Sequence, residues 1–197
     1  MSAVNRVDVS IYQKVKQGNV VCGDSYYYYQ DEDNFLCVVV DGLGSGVFAH
    51  ESSQTVVDVI KSDPLRPTTE IIELSNRMLT GKRGVVLGIL RLDLKTLQFT
   101  YSSIGNIGLM TITSEGIKKR NIPMSGYLGG YPRQVKVVSG VFTNNTVFVL
   151  FSDGVQPNEL THHLFRKCSA KAITDAFRVQ MEQSRDDDTT LAVIKYN

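Results

Sequence analysis

The chain has 197 residues, of which 42% are hydrophobic and 21% charged, a composition that suits one globular domain spanning residues 1–197 with a sizeable core. Its 21 Lys+Arg and 20 Asp+Glu leave a net charge of +1, which argues against a basic nucleic-acid binder and against a basic membrane-surface protein. No apolar run nears the roughly 18 residues of a membrane-spanning helix, and Met1 to Arg6 lacks the pattern of a secretory signal, so a cytoplasmic protein is expected.

Val7 to Ile11 alternates at period two and predicts a strand. A second strand-like stretch surrounds Val20-Val21, followed by Gly23-Asp24 and the run Tyr26 to Tyr29, which as a strand would place two rings on each face. Phe35 to Val40 is apolar without alternation, the mark of a central strand buried on both sides, and it stops at Asp41-Gly42. From Val47 to Lys61 the period becomes helical, with Ala49, Ser53, Val56 and Ile60 on one face. A second helix, Thr68 to Leu79, presents Ile71, Ile72, Ser75, Met78 and Leu79, and Gly81 stops it.

Strands are then expected at Val85 to Leu92 and Leu97 to Tyr101, joined as a hairpin through Asp93 to Thr96. More follow at Gly108 to Thr113, Val135 to Val138 and Thr146 to Phe151. A helix from Ala170 to Met181 turns Ile173, Ala176 and Phe177 inward, and Leu191 to Tyr196 is a last strand. Arg120 to Arg133, rich in Gly, Pro and Tyr, reads as a long loop, either a partner-recognition segment or a passive connection. The order is not βαβ alternation, so the expected fold class is α+β: a β-sandwich of two mostly antiparallel sheets with helices outside. Cys22, Cys37 and Cys168 fit no zinc spacing and are expected to be buried free thiols. His50, on the first helix, and His162-His163, in a loop, show no metal spacing either.

Four aspartates sit at the ends of predicted strands. Asp41 ends the central strand and leads into Gly42-Leu43-Gly44-Ser45-Gly46; Asp153 lies in Ser152-Asp153-Gly154; Asp187 precedes the last strand; Asp24 follows Gly23. Taken singly, an Asp-Gly pair is an ordinary turn and Asp186 to Asp188 an ordinary solvated loop. Carboxylates gathered at one edge of a sandwich would repel one another unless a cation offset them, and an all-oxygen site suits Mg²⁺ or Mn²⁺. The glycine run matches neither a P-loop nor a nucleophile elbow.

Val40-Asp41-Gly42-Leu43-Gly44-Ser45-Gly46 with Ala49 resembles the Asp-Gly-Met-Gly-x-Gly segment of bacterial PP2C-type serine/threonine phosphatases. Gly23-Asp24, Ser152-Asp153-Gly154 and Asp187 to Leu191 match that family's other acidic motifs in order. Ser103-Ile104-Gly105-Asn106 resembles a turn of its sporulation-and-stress subfamily. The resemblance spans essentially the whole chain, with no regulatory domain at either end. It implies α/β/β/α layers and hydrolysis of phosphoserine or phosphothreonine by a metal-activated water, with no covalent phosphoenzyme. Asp41 would bridge two ions, Mn²⁺ or Mg²⁺. The Gly42 carbonyl and Asp24 would serve the first ion and its water shell, and Asp153 and Asp187 the second. Asp41 and Asp153 are the catalytic pair, and Asp188 and Gly44 support the site. Asp186 has no counterpart and reads as surface.

Three departures from the animal-type pattern stand out. Leu43 replaces a histidine, Gly23 replaces a glutamate, and no upstream arginine grips phosphate; Lys14 and Lys16 are the nearest cations, a phosphate grip or a solvated strand face. The partners implied are phosphorylated STAS-domain scaffold proteins of a stressosome, with the enzyme a monomeric negative feedback regulator that binds neither nucleic acid nor membrane. The alternative is a pseudophosphatase that only binds a partner; the presence of all four aspartates argues against it.

Overall fold

The computed structural model describes residues 6–122, 124–131, 133–181 and 186–197. Met1 to Asn5, and Pro123 and Pro132 of the long loop, lie outside the described residues. The strands are β1 (Val7–Lys14), β2 (Asp24–Gln30), β3 (Asn34–Gly42), β4 (Val85–Asp93), β5 (Gln98–Ile104), β6 (Gly108–Ile112), β7 (Lys118–Arg120), β8 (Val137–Val141), β9 (Val147–Phe151) and β10 (Thr189–Tyr196). The helices are α1 (Val47–Ser62), α2 (Thr68–Met78) and α3 (Ala170–Gln180).

Two five-stranded sheets form, in the orders β1-β10-β9-β6-β7 and β2-β3-β4-β5-β8, and every pairing is antiparallel. Alternation along β3 explains the layering. Phe35, Cys37 and Val39 enter the core between the sheets, while Leu36, Val38 and Val40 pack beneath α1 and α2. The other sheet repeats the arrangement: Ala192 and Ile194 of β10 face the inter-sheet core, and Leu191 and Val193 face α3. The result is the expected α/β/β/α stack. Ser169 caps α3, its hydroxyl accepting from the Ala172 N–H at 3.1 Å. No helix among the described residues is long and apolar enough to cross a membrane.

Several local expectations are corrected. Val20-Val21 is not a strand: both residues lie in bends, and Val20 is 95% exposed. The strand expected at Val135 to Val138 runs over Val137–Val141 instead. Lys118–Arg120 forms a short edge strand that a charged triplet does not announce. On α2, Met78 faces solvent and Asn76 is buried in its stead, because the Asn76 side chain accepts from the Gly129 and Gly130 N–H groups and donates to the Tyr131 carbonyl. Cys22 and Cys37 are buried, and burial pushes the Cys37 thiol up to about 12, but Cys168 is exposed.

Candidate metal centre

Antiparallel pairing assembles one acidic mouth from distant segments. β2 begins where β3 ends, so Asp24 and Asp41 are direct cross-strand partners. β9 ends at Phe151 opposite Leu191 of β10, which brings Asp153 and the residues preceding β10 to one rim. Gly108 of β6 also pairs with Phe151, so the Gly105-Asn106 turn arrives beside Asp153. A cleft of about 630 Å³ opens there, with Asp41, Asp153, Asp187, Lys16, Gly44 and Asn106 in its wall.

The glycines set close approaches. A methyl group on Gly42 would overlap the Ala49 backbone of α1, so β3 meets the helix at a distance only glycine allows. Gly44 adopts a φ of 92°, in the left-handed region. Ser53 of α1 donates to the Gly23 carbonyl at 2.6 Å, and the Gly42 N–H reaches the same carbonyl at 3.3 Å. These bonds lock α1, β3 and the segment before Asp24 together.

Asp24 is 2% exposed, and neither of its carboxylate oxygens has a hydrogen-bond partner. Burial raises its pKa; the nearby Thr190 and Ser152 hydroxyls oppose the rise, and Asp188 and Asp153 add to it. Asp41 is raised too, first by burial and then by repulsion from Asp24, Asp153, Asp187 and Asp188. Burial and Asp187 raise Asp153, while the Asn106 amide, donating at 2.8 Å, holds it down. Lys16 is a weak counterweight, its Nζ 3.9 Å from an Asp187 oxygen at an exposed position.

Donor chemistry here fits a hard divalent cation: every candidate ligand is oxygen, and two buried anionic oxygens lack a partner. Among the described residues no three His, Cys, Asp or Glu groups close tightly enough to enclose one ion by themselves.

This electrostatic strain has a pH signature. Asp24 and Asp41 have folded-state pKa values above the ordinary 3.8, so their protonated forms suit the fold better. The stability they contribute is complete below 3.8 and is lost as the pH rises to about 8. Thermal denaturation of metal-free protein is therefore expected to show a midpoint that falls from pH 5 toward pH 8. Mn²⁺ is expected to restore it most at pH 8, where protons compete least. A midpoint rising over that range, or one indifferent to Mn²⁺, would contradict the arrangement.

The sequence-derived candidates separate in space. Asp41, Asp153, Asp187, Gly44 and Lys16 share the cleft wall. Asp24 and Gly42 lie behind it, both buried. Asp188 acts as a staple, its carboxylate accepting from the Lys16 and Gly23 N–H groups, each at 2.9 Å. Asp186 is exposed. Lys14 is not brought to the cleft: as the last residue of β1 its ammonium donates to the Met181 carbonyl at the end of α3, whereas Lys16 lies beyond the strand, where the chain has turned toward the cleft. His50 lies in α1 and its Nδ1 is 2.9 Å from the Cys22 carbonyl.

Two groups escaped the sequence reading of the site. Asn106 orients Asp153, and its turn motif was the available signal. Arg83 follows α2, donates to the Leu43 carbonyl at 3.4 Å and lies 5.6 Å from the Phe48 ring, bringing a cation beside the glycine run that nothing local in the sequence announces. The 120–133 loop reaches the cleft through Met124, Ser125 and Gly126.

A family model described as Stage II sporulation protein E (SpoIIE) matches residues 31–197. Phosphoserine phosphatase RsbX of Bacillus subtilis (strain 168) is 31% identical over 183 residues, covering 93% of this chain and 92% of that protein. The crystal structure of RsbX in complex with magnesium superposes with a TM-score of 0.89 at 30% identity, over 98% of this chain and 96% of that one. A chain solved in work on the bacterial stressosome, described as a modular system adapted to control secondary messenger signaling, matches with a TM-score of 0.87 and 25% identity, over 96% and 99%. The PP2C phosphatase domain of SpoIIE from Bacillus subtilis shares the fold, with a TM-score of 0.76 at 19% identity over 98% of this chain and 64% of that one.

Proposed function

The chain belongs to the SpoIIE family and is a phosphatase of the PP2C type, and on that premise we propose that it hydrolyses phosphoserine and phosphothreonine in proteins with divalent cations bound at the acidic mouth. The observation that carries this reading is the buried Asp24 carboxylate, whose two unpartnered oxygens lie behind a wall bearing three more aspartates. Asp41, Asp24, the Gly42 carbonyl, Asp153 and Asp187 are the groups that would hold the cations. When bound, Mn²⁺ or Mg²⁺ would supply an acidified water for attack on phosphorus and offset charge on the phosphoryl group.

The chain's own residues do the rest. Asn106 holds one Asp153 oxygen and so fixes how that carboxylate faces the cleft. Asp188 and Gly44 shape the walls, and Lys16, the cation in the cleft wall, is placed to attract the phosphoryl oxygens. With Leu43 where animal-type relatives have histidine, no imidazole follows Asp41-Gly42 to protonate the departing serine oxygen.

RsbX is named a phosphoserine phosphatase, and a stressosome chain shares this architecture. By that kinship the substrates we assign are phosphorylated STAS-domain scaffold proteins of a stressosome, and the role is negative feedback by a cytoplasmic monomer. The deciding experiment is phosphate release from a serine-phosphorylated STAS-domain protein, with Mn²⁺ and with EDTA. Release only with Mn²⁺ is expected. No release under either condition, with the protein folded, would leave a module that binds its partner without turning it over.

A further inference from the structure

A second cleft, of about 530 Å³, lies at the opposite end of the β10-β9-β6 sheet. Its lining takes in Val147, where β9 begins, whereas Asp153 lies just past the strand's other end, so the two clefts are about 20 Å apart along the strand. Their signs are opposite. Arg166, Lys167 and Lys195 line the second cleft together with His162, and Glu115 is the carboxylate that faces them there. Arg166 and Lys167 are exposed, and among the described residues neither is in an ion pair. Lys195 is held by the Cys168 carbonyl at 2.7 Å, and the nearby Asp8 carboxylate is occupied by the Ala170 N–H at 2.7 Å. The half-buried Phe165 adds an apolar wall.

We propose that this cleft is a docking site for an acidic segment of the protein substrate, separate from the residue that is dephosphorylated. The proposal rests on the phosphatase reading for the word substrate, but not for the binding itself. Charge complementarity carries it: Arg166, Lys167 and Lys195 against the single carboxylate of Glu115 in the lining attract an acidic segment. That cationic end would therefore steer the partner on encounter and hold it there while its phosphorylated residue reaches the mouth.

The test uses fluorescein-labelled decaglutamate as a probe of the full chain, followed by anisotropy, with wild type and R166E/K167E compared. Wild type is expected to bind, with affinity falling steeply between about 50 and about 300 mM salt, and the variant about tenfold more weakly. Hydrolysis of p-nitrophenyl phosphate with Mn²⁺ should be the same in both proteins, which also verifies that the variant is folded. With the phosphorylated STAS-domain protein, KM should rise and kcat should hold. Equal binding by the two proteins, or a wild type that takes inorganic phosphate but not the peptide, would overturn the proposal. A wild type that binds the peptide yet hydrolyses nothing would sink the phosphatase reading and leave the docking site standing.

Discussion

Asp41→Asn is expected to cut Mn²⁺-dependent phosphate release by about a thousandfold, equivalent to about 4 kcal/mol of barrier. It should do so without unfolding the chain. Asparagine keeps the shape of the side chain and removes the charge that burial and four neighbouring aspartates oppose. The metal-free variant should therefore melt at a higher temperature than metal-free wild type at pH 8, while gaining much less from added Mn²⁺. Opposite signs on activity and apo-stability distinguish a lost ligand from a damaged fold. Thermal melts with and without Mn²⁺, paired with phosphate release, check both. A variant that melts lower and keeps more than about a tenth of the activity would contradict the assigned role.

Gly42→Ala should be the most damaging methyl group that can be added near the site. The new carbon would overlap the Ala49 carbonyl and lie 2.8 Å from its Cα, and neither atom belongs to a side chain that can swing aside. Helix α1 would have to lift from β3, stretching the Ser53 bond to the Gly23 carbonyl. A loss of about 4 kcal/mol is expected, roughly 8–16 °C in melting midpoint for a chain of this size. Gly44→Ala gives the contrast. There the crowding atom is the end of the Arg83 side chain, which can move, so the cost is mainly the left-handed φ, about 1 kcal/mol. Equal melting points for the two variants would refute the close-approach argument.

The layered architecture was legible because burial on both faces leaves an unmistakable run, as in Phe35 to Val40, and because α1 keeps Ala49, Ser53, Val56 and Ile60 in register. The aspartates were legible as a set, since strand ends are visible in sequence. What failed depends on surroundings that no local window contains. Val20-Val21 has the composition of a strand but no neighbour to pair with. Lys118–Arg120 has the composition of a surface loop, yet pairs with β6. Met78 lost its inward place to Asn76 because a distant loop offered hydrogen bonds. Lys14 and Lys16 looked equivalent until the end of β1 at Lys14 separated them, one tied to α3 and the other in the cleft wall. Arg83 acquires meaning only once the turn after α2 folds against Leu43.

The Asp188 staple joins residues 172 and 165 positions away. Closing such long loops is slow and entropically costly, and it comes after local hairpins such as β4-β5 can already exist. The complete acidic mouth is thus expected late in folding: Asp24 and Asp41 can meet in the β2-β3 hairpin, but Asp153 and Asp187 join them only when the other sheet closes. A nascent or half-folded chain can carry native secondary structure and still lack the place where an ion would bind. Regain of catalysis after dilution from denaturant therefore reports completed topology, and it should lag behind the recovery of backbone structure.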